Sequence, residues 1–295
     1  TGRVRDHWHT MTRTGLSPRL SRHMAEPFLE LHPQDAGRLG LRPATLAQVE
    51  SPLGRAVLRV LVTDRVAPGQ PFAPMHWTAE TAPTGRVDAL VPALTDPVSG
   101  QPALKSAQVA IRPFAAAWYG FAVSAGPITP RADYWARATL PKGQQVELAG
   151  GALPEDWIQE ARALFGLTGD PLVMQDRRRG LVRLAFVRDG RLQAALFVAP
   201  EPVALSRSHV AAALGADCGP DLLAGQAAAG RPDEGALICA CFSVGVNSIV
   251  RAIASQALTS VEAVGKALGA GTNCGSCRPE IRAILEAKAV ARAAE

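Results

Sequence analysis

Four of the five cysteines form two close pairs near the C-terminus. Cys239 and Cys241 have one residue between them, Cys274 and Cys277 have two, and thirty-two residues separate the pairs. Two thiolate pairs joined by a helical excursion can converge on one metal site, either a structural zinc ion or an iron–sulfur cluster. This part of the chain is therefore constrained to a small metal-binding fold before any other element is assigned.

The residues around these cysteines favour an iron–sulfur cluster over zinc. Small residues surround the second pair, and they allow backbone N–H groups to approach the sulfurs of an anionic cluster. Structural zinc more often uses two Cys-x-x-Cys motifs, whereas the first pair here has a single intervening residue. The alternatives are a zinc site and free thiols. We expect a [2Fe–2S] cluster held by Cys239, Cys241, Cys274 and Cys277.

Length and cysteine usage bound the class of protein. The 295 residues suffice for two or three domains, with 47% apolar and 19% charged residues. A secreted disulfide framework would scatter its cysteines, so we expect a reducing compartment, the cytoplasm. No run of eighteen apolar residues occurs, and we expect no membrane span. Because the chain begins with Thr1 rather than methionine, we expect it to be a piece of a longer protein.

Arginine dominates the positive charge. The net charge is +5, with 27 arginines and 4 lysines. The guanidinium fork suits phosphate groups, which leaves a nucleotide-like ligand open, although a GC-rich genome is the simpler explanation for most of these arginines. No lysine-rich tail or basic–aromatic stripe indicates nucleic acid. We expect no nucleic-acid partner.

The pattern of elements divides the chain into three folded units and a linker. The first unit reads as short strands with one or two helices, the second as mixed α and β, and the last as helical. An Asp189-Gly190 centre between two alternating apolar runs predicts a hairpin in the second unit. The predicted boundaries are 1–114, 115–215, 216–235 for the linker, and 236–295.

Two helix starts are predicted from local signals. Pro154 is placed in the first turn of a helix that Gly166 ends. Thr259 and Glu262 form a capping box for a helix that Gly269 closes.

The cysteine segment resembles the bacterioferritin-associated-ferredoxin type of [2Fe–2S] domain. The resemblance rests on ICACFSVG around the first pair and GTNCGSCRPE around the second, and it covers about residues 236–286. Domains of this family occur alone, in nitrite reductase large subunits, and at the C-terminus of assimilatory nitrate reductases. The resemblance implies an electron-transfer role.

The upstream sequence resembles a second family. TGRVRDHWHTMTRTG, LHPQDAGRLGL, FAPMHW and DPVSGQPALKS are similar to the C-terminal molybdopterin-dinucleotide-binding domain of bacterial assimilatory nitrate reductases. This resemblance implies a double-psi β-barrel that closes over the guanine-dinucleotide arms of the molybdenum cofactor, Mo-bis-MGD. The implied fold class is multi-domain: a β-rich double-psi barrel, then a small α+β domain, then a small all-α [2Fe–2S] domain.

The same resemblance implies the cofactor contacts. They are Thr1, Gly2, Arg3, Val4, Arg5, Asp6, His7, Trp8, His9, Thr10, Met75, His76, Asp88 and Lys105. Asp88 stands where relatives commonly have asparagine. Other interpretations stay open: His76 and Trp77 as core residues, Lys105 as a solvated side chain, and the His-x-His motif as one packed and one exposed ring. No catalytic residue is expected in this chain.

The resemblance also implies the activity of the parent protein. The parent would reduce nitrate to nitrite, taking electrons from a ferredoxin, a flavodoxin or a flavoprotein subunit. All five cysteines lie at or beyond Cys218, so the family's [4Fe–4S] cluster is expected only in a missing N-terminal part, and this chain alone is expected to be inactive. The alternatives are a stand-alone [2Fe–2S] electron-transfer module, a nitrite-reductase-type fragment, and a zinc-stapled interaction module.

Overall fold

Two β-sheets and a helical segment follow one another along the chain. They are seen in a computed structural model that describes residues 1–226 and 234–293, with side chains described as far as residue 289. Among these residues, no helix is both long enough and apolar enough to cross a bilayer. The chain therefore has several structural units and is rich in β-structure.

The first unit is built on a mixed four-stranded sheet. Its strands lie in the order β1-β3-β2-β4; β1 is parallel to β3, and the other pairs are antiparallel. The buried side chains of Leu31, Val49 and Leu58 form the centre of its core. The closed double-psi barrel remains a prediction. The elements are α1 (Pro18–Ser21), β1 (Phe28–Leu31), α2 (Pro33–Leu39), β2 (Leu46–Ser51), β3 (Gly54–Val62) and β4 (Ala110–Pro113).

The second unit is an antiparallel six-stranded sheet with a helix packed on each face. The strand order is β6-β7-β5-β10-β9-β8. Alternate residues of β5 face opposite sides, so Phe121 packs with the α4 side and Ala122 with the α3 side. The elements are β5 (Trp118–Ser124), β6 (Tyr134–Leu140), β7 (Gly143–Gly150), α3 (Trp157–Phe165), β8 (Leu172–Asp176), β9 (Leu181–Arg188), β10 (Arg191–Ala199) and α4 (Arg207–Ala212).

The predicted hairpin in this sheet is confirmed. Strands β9 and β10 pair in antiparallel register from Arg188 and Arg191 onward. Asp189 and Gly190 both have positive φ, 51° and 74°. Left-handed backbone at both central residues is what a type I′ hairpin turn requires, and Asp-Gly adopts it at low cost.

Helix α3 begins later than its proline suggested. The Asp156 carboxylate accepts hydrogen bonds from the backbone N–H groups of Ile158 (2.8 Å) and Gln159 (3.2 Å), so Asp156 is the N-cap. The predicted first-turn position of Pro154 is wrong because this side-chain cap fixes the start of the helix. The predicted end at Gly166 is confirmed by its left-handed φ of 63°.

The C-terminal unit combines a short two-stranded ribbon with three helices. The ribbon corrects the expectation of an all-α unit, because extended backbone on both sides of the Cys-x-Cys turn pairs with itself. The helices enclose a small core in which Ile249, Val264 and Ile281 are fully buried. The elements are β11 (Leu237–Cys239), β12 (Val244–Gly245), α5 (Val246–Gln256), α6 (Val261–Leu268) and α7 (Arg278–Ala293).

The cap of helix α6 differs by one residue from the prediction. The Ser260 hydroxyl accepts a hydrogen bond from the backbone N–H of Ala263 at 3.1 Å. The predicted capping box placed this role on Thr259, which is exposed. Gly269 closes the helix with a φ of 74°, as predicted.

Part of the predicted linker packs against the second sheet. Pro220–Ala224 forms a 3-10 turn whose Leu222 and Leu223 side chains are buried, since Arg183 anchors the backbone carbonyls of Leu223 (2.5 Å) and Ala224 (2.8 Å). Residues 227–233 of the predicted linker lie outside the described residues. The domain boundaries remain predictions.

Candidate metal centre and cofactor-binding segment

The two cysteine motifs meet at one end of the helical unit. Cys239 ends β11 and Cys241 lies in the turn after it, whereas Cys274 and Cys277 lie in the loop between α6 and α7. The Cys241 and Cys274 sulfurs are 3.4 Å apart, and Cys239 interacts with Cys277. All are free thiols. Each motif thus contributes one sulfur to each of two contacts.

The spacing of these sulfurs suits metal coordination. Two thiolates on one tetrahedral metal, with bonds of about 2.3 Å, lie roughly 3.8 Å apart. The 3.4 Å contact of Cys241 with Cys274 is close to that value and far from the roughly 2.05 Å of a disulfide. Among residues 1–226 and 234–289, no three or more His, Cys, Asp or Glu side chains gather around a single ion position. The two-by-two pairing fits a [2Fe–2S] cluster, in which each iron takes two thiolates.

The two sulfur pairs differ in environment. Cys239 and Cys277 are each only 2% exposed, whereas Cys274 is exposed and Cys241 is half-buried. Burial and the neighbouring Cys239 raise the pKa of Cys277 to about 11. Hydrogen bonds from the Ser276 hydroxyl and backbone lower the pKa of Cys274. Metal binding must therefore displace a proton that the buried Cys277 thiol holds firmly. The Cys274 thiol faces solvent.

The loop that carries the second pair depends on glycine backbone. Gly275, between the two cysteines, has a φ of 74°, a conformation that residues with a side chain rarely adopt. Its carbonyl accepts a hydrogen bond from the Arg278 backbone N–H at 3.1 Å, and the Arg278 side chain pairs with Glu262. The loop is thus fixed at the start of α7.

The chain's first residues lie against two other predicted cofactor segments. The Thr1 ammonium donates to the Lys105 carbonyl at 2.8 Å, and the Thr1 hydroxyl donates to the Leu104 carbonyl at 2.6 Å. The Met75 backbone N–H donates to the Gly2 carbonyl at 2.9 Å. The structure therefore brings together three segments that the sequence places far apart.

A group of rings follows, exposed at Trp8 and His9 and half-buried at His76. The His9 and His76 rings meet edge to face at 5.1 Å, and the Thr10 backbone N–H donates to His76 Nδ1 at 3.4 Å. Arg3 contacts His9 Nε2 at 3.3 Å and lies over the Trp8 ring. His76 and Thr10 have positive φ, 90° and 47°. Strained backbone of this kind is concentrated at ligand-binding sites.

His7 is packed rather than exposed. Its ring is buried and meets the Trp77 ring edge to face at 5.2 Å. Burial lowers the pKa of His7 to about 4, so the ring is neutral at pH 7. Of the His-x-His motif, His7 is thus the packed ring and His9 the exposed one, which is the alternative interpretation that the sequence left open.

Two segments of the chain match known domain families. Residues 1–108 match the family described as molybdopterin dinucleotide binding domain, and residues 237–287 match the BFD-like [2Fe–2S] binding domain. The chain joins these two domains. The predicted resemblances are confirmed, and with them the cofactors, a molybdopterin dinucleotide and a [2Fe–2S] cluster.

The chain is also similar to three proteins named as nitrate reductases. It is 39% identical to one from Klebsiella oxytoca over 98% of this chain and 33% of that protein. It is 43% identical to one from Synechocystis sp. over 38% of this chain and 16% of that protein. It is 32% identical to the assimilatory nitrate reductase catalytic subunit of Bacillus subtilis over 38% of this chain and 15% of that protein. The chain spans about one third of the Klebsiella relative.

A cavity lies beside the segments that the dinucleotide-binding domain brings together. Its volume is about 880 Å³, and it is walled mainly by apolar side chains of the four-stranded sheet. Thr1, Asp35, Arg38 and Lys105 contribute charged or polar groups to its lining. Asp88 is exposed on the 3-10 turn Val87–Leu90 and does not line this cavity.

Three of the predicted contact residues make contacts within the protein. The Val4 carbonyl accepts a hydrogen bond from the His7 backbone N–H at 3.4 Å and so shapes the turn. Arg5 pairs with Glu280 of the BFD-like domain, and Asp6 lies beside His23 of its own domain. Sequence reasoning missed Glu280 and His23. Glu280 follows Cys277 by three positions in the first turn of α7, a signal within the motif itself, but no sequence signal marks His23.

Proposed function

We propose that this chain is the part of a molybdenum nitrate reductase that binds the dinucleotide cofactor and relays electrons through a [2Fe–2S] cluster. In the complete protein, nitrate would take up two electrons and two protons to give nitrite and water, with molybdenum supplying the redox chemistry. The similarity to the nitrate reductase of Klebsiella oxytoca along 98% of the chain supports this function. The observation that carries the relay is the 3.4 Å contact between Cys241 and Cys274, which joins two motifs distant in sequence.

The four cysteines differ in exposure, which gives the proposed relay a direction. Cys274 is exposed and Phe242 beside Cys241 is half exposed, so electrons from a partner protein would enter here. Cys239 and Cys277 are buried, and Arg5 of the dinucleotide-binding domain acts electrostatically on Cys277. The partner would be a ferredoxin, a flavodoxin or a flavoprotein subunit. This polarity suits one-electron transfer from the surface towards the molybdenum cofactor.

The dinucleotide-binding domain would hold the cofactor with both ends of its first ten residues and with three later segments. Contact with the phosphates and pterin, within a double-psi barrel, would come from Thr1, Gly2, Arg3, Trp8, His9, Thr10, Met75, His76, Asp88 and Lys105. Arg3 and Lys105 are exposed cations, which suits phosphate groups. The compartment would be the cytoplasm.

This function can be tested by activity measurements on the complete protein. We expect Cys274→Ser to abolish nitrate reduction driven by a protein donor while retaining reduction driven by a small viologen that reaches molybdenum directly. Cys218→Ser, at the cysteine outside the two motifs, is the matched control and should leave both activities unchanged.

Two results would count against the proposal. Unchanged donor-driven activity in Cys274→Ser would contradict the proposed electron relay. A wild-type protein that reduces no nitrate with either electron source would contradict nitrate as the substrate.

A further inference from the structure

Arg5 spans the boundary between the two cofactor domains. Its Nη2 donates to the carbonyl of Ile238, the residue before Cys239, at 2.9 Å. Its Nη1 lies 2.6 Å from the Glu280 carboxylate, three residues after Cys277. One guanidinium from the predicted cofactor-binding segment therefore contacts both cysteine-bearing segments of the BFD-like domain.

The surroundings of Arg5 form a closed group of charges and a ring. His23 Nε2 also contacts Arg5, and His23 Nδ1 lies 3.3 Å from the Asp6 carboxylate. The side chains of Arg5, Asp6 and His23 are 15%, 13% and 6% exposed, whereas Glu280 is 37% exposed at the edge. Partial burial limits solvent screening, so these charges act on the nearby thiolates more strongly than surface charges would.

The electrostatic reach of this group extends to the sulfurs. The Arg5 guanidinium binds the carbonyl of Ile238, one residue before Cys239, and it pairs with Glu280, three residues after Cys277. These charges therefore lie beside both cysteine-bearing segments. The negative charge that the cluster would gain on reduction would be stabilised by Arg5 and opposed by Asp6 and Glu280.

The backbone explains how one short segment serves two domains. Arg3 contacts His9 and Trp8 in the exposed group of rings, whereas Arg5 faces the cysteines. Asp6 then turns the chain with a φ of 67°. The segment predicted to bind the dinucleotide thus also contacts both cysteine-bearing segments.

We propose that Arg5 is a positioning residue that docks the [2Fe–2S] domain onto the cofactor-binding segment and raises the reduction potential of the cluster. Glu280 takes part in the docking contact, but its negative charge lowers the reduction potential of the cluster. The inference rests on the proposed function only in requiring a [2Fe–2S] cluster at the four cysteines. It predicts that the distance between the two redox cofactors is fixed by an arginine outside both sets of ligands.

The first test is a redox titration of the iron-loaded 295-residue chain. Arg5→Ala should shift the midpoint potential to more negative values, because a positive charge near the cluster is lost. Glu280→Gln should shift it to more positive values, because a negative charge is lost. Arg5→Lys should stay close to wild type, since it keeps the charge. Arg65→Ala, at an exposed arginine paired with Glu30, is the control and should not shift the potential.

The second test measures docking separately from potential. Amide hydrogen exchange at residues 237–241 should become faster in Arg5→Ala and in Arg5→Lys, because lysine cannot reproduce the guanidinium contacts to Ile238 and Glu280. Iron content is measured in each variant. If Arg5→Ala loses iron, the inference is tested by the positive shift of the midpoint potential in Glu280→Gln and by the faster amide exchange in Arg5→Lys.

The outcomes separate this inference from the proposed function. Equal potentials in wild type, Arg5→Ala and Glu280→Gln, with unchanged exchange, would overturn the role of Arg5 and leave the nitrate reductase relay intact. Absence of nitrate reduction in the complete protein would overturn the function and leave these shifts as they are.

Discussion

Arg59 donates two hydrogen bonds to the Glu26 carboxylate, from Nε at 3.0 Å and from Nη2 at 2.9 Å. The Tyr134 hydroxyl, on strand β6 of the second sheet, donates to the same carboxylate at 2.7 Å. Glu147 on β7 lies 3.8 Å from Arg59 and is paired with Arg207. A mostly buried chain of charges thus fastens the dinucleotide-binding domain to the six-stranded sheet.

Removing one member of this chain should be costly. We expect Arg59→Ala to destabilise the protein by about 3–5 kcal/mol, because the Glu26 carboxylate would remain in the interior without its cation. Arg65→Ala should cost at most about 1 kcal/mol, because its ion pair with Glu30 is exposed to solvent on the arginine side. Urea unfolding of both variants measures the difference, and equal losses would contradict the structural role of Arg59.

The buried ring of His7 predicts a pH dependence of stability. Its pKa is about 4 in the folded chain and 6.5 for an ordinary histidine, so the unfolded state takes up the proton first as the pH falls. The free energy of unfolding should therefore decrease between about pH 6.5 and 4, by about 3 kcal/mol from this residue.

A variant isolates this contribution. His7→Leu lacks the titrating ring, and its stability should depend less steeply on pH over the same interval. Urea unfolding at a series of pH values gives both curves. Parallel curves for wild type and variant would show that His7 is not buried as described.

The start of helix α6 distinguishes two neighbouring hydroxyls. Ser260→Ala should destabilise the BFD-like domain by about 1 kcal/mol, because the hydroxyl that accepts the Ala263 N–H is lost. Thr259→Ala, at an exposed position, should change stability by less than about 0.5 kcal/mol. Thermal unfolding of the two variants provides the test, and the reverse order would restore the cap predicted from the sequence.

The pairing of sulfurs across motifs predicts equal sensitivity in both motifs. Cys241→Ser and Cys277→Ser should each lose most of the bound iron, since each removes one thiolate from a different pair. Cys218→Ser should retain it, because this cysteine lies outside the two motifs. Iron analysis after purification without oxygen measures the loss, and full iron in Cys241→Ser would exclude that residue as a ligand.

Local signals predicted much of the fold. The Asp189-Gly190 turn could be predicted because an Asp-Gly pair adopts the positive φ of a type I′ hairpin turn at low cost. The starts of helices were less certain, because neighbouring residues compete for one cap, as Thr259 and Ser260 do. The start of helix α3 predicted at Pro154 is wrong for the same reason, because Asp156 supplies the cap.

Long-range contacts could not be predicted in this way. The ion pair between Arg5 and Glu280 joins opposite ends of the chain, and no periodicity or motif relates them. The four cysteines were found because their ligand chemistry fixes both residue type and spacing. His23 has no such constraint, and only the folded structure brings it to Asp6 and Arg5.

The most direct measurement is the iron and acid-labile sulfide content of the purified chain, with an electron paramagnetic resonance spectrum before and after one-electron reduction. The four paired thiolates predict two irons and two sulfides per chain and a paramagnetic signal that appears only on reduction. A colourless protein that binds one zinc ion and no sulfide would contradict the electron relay.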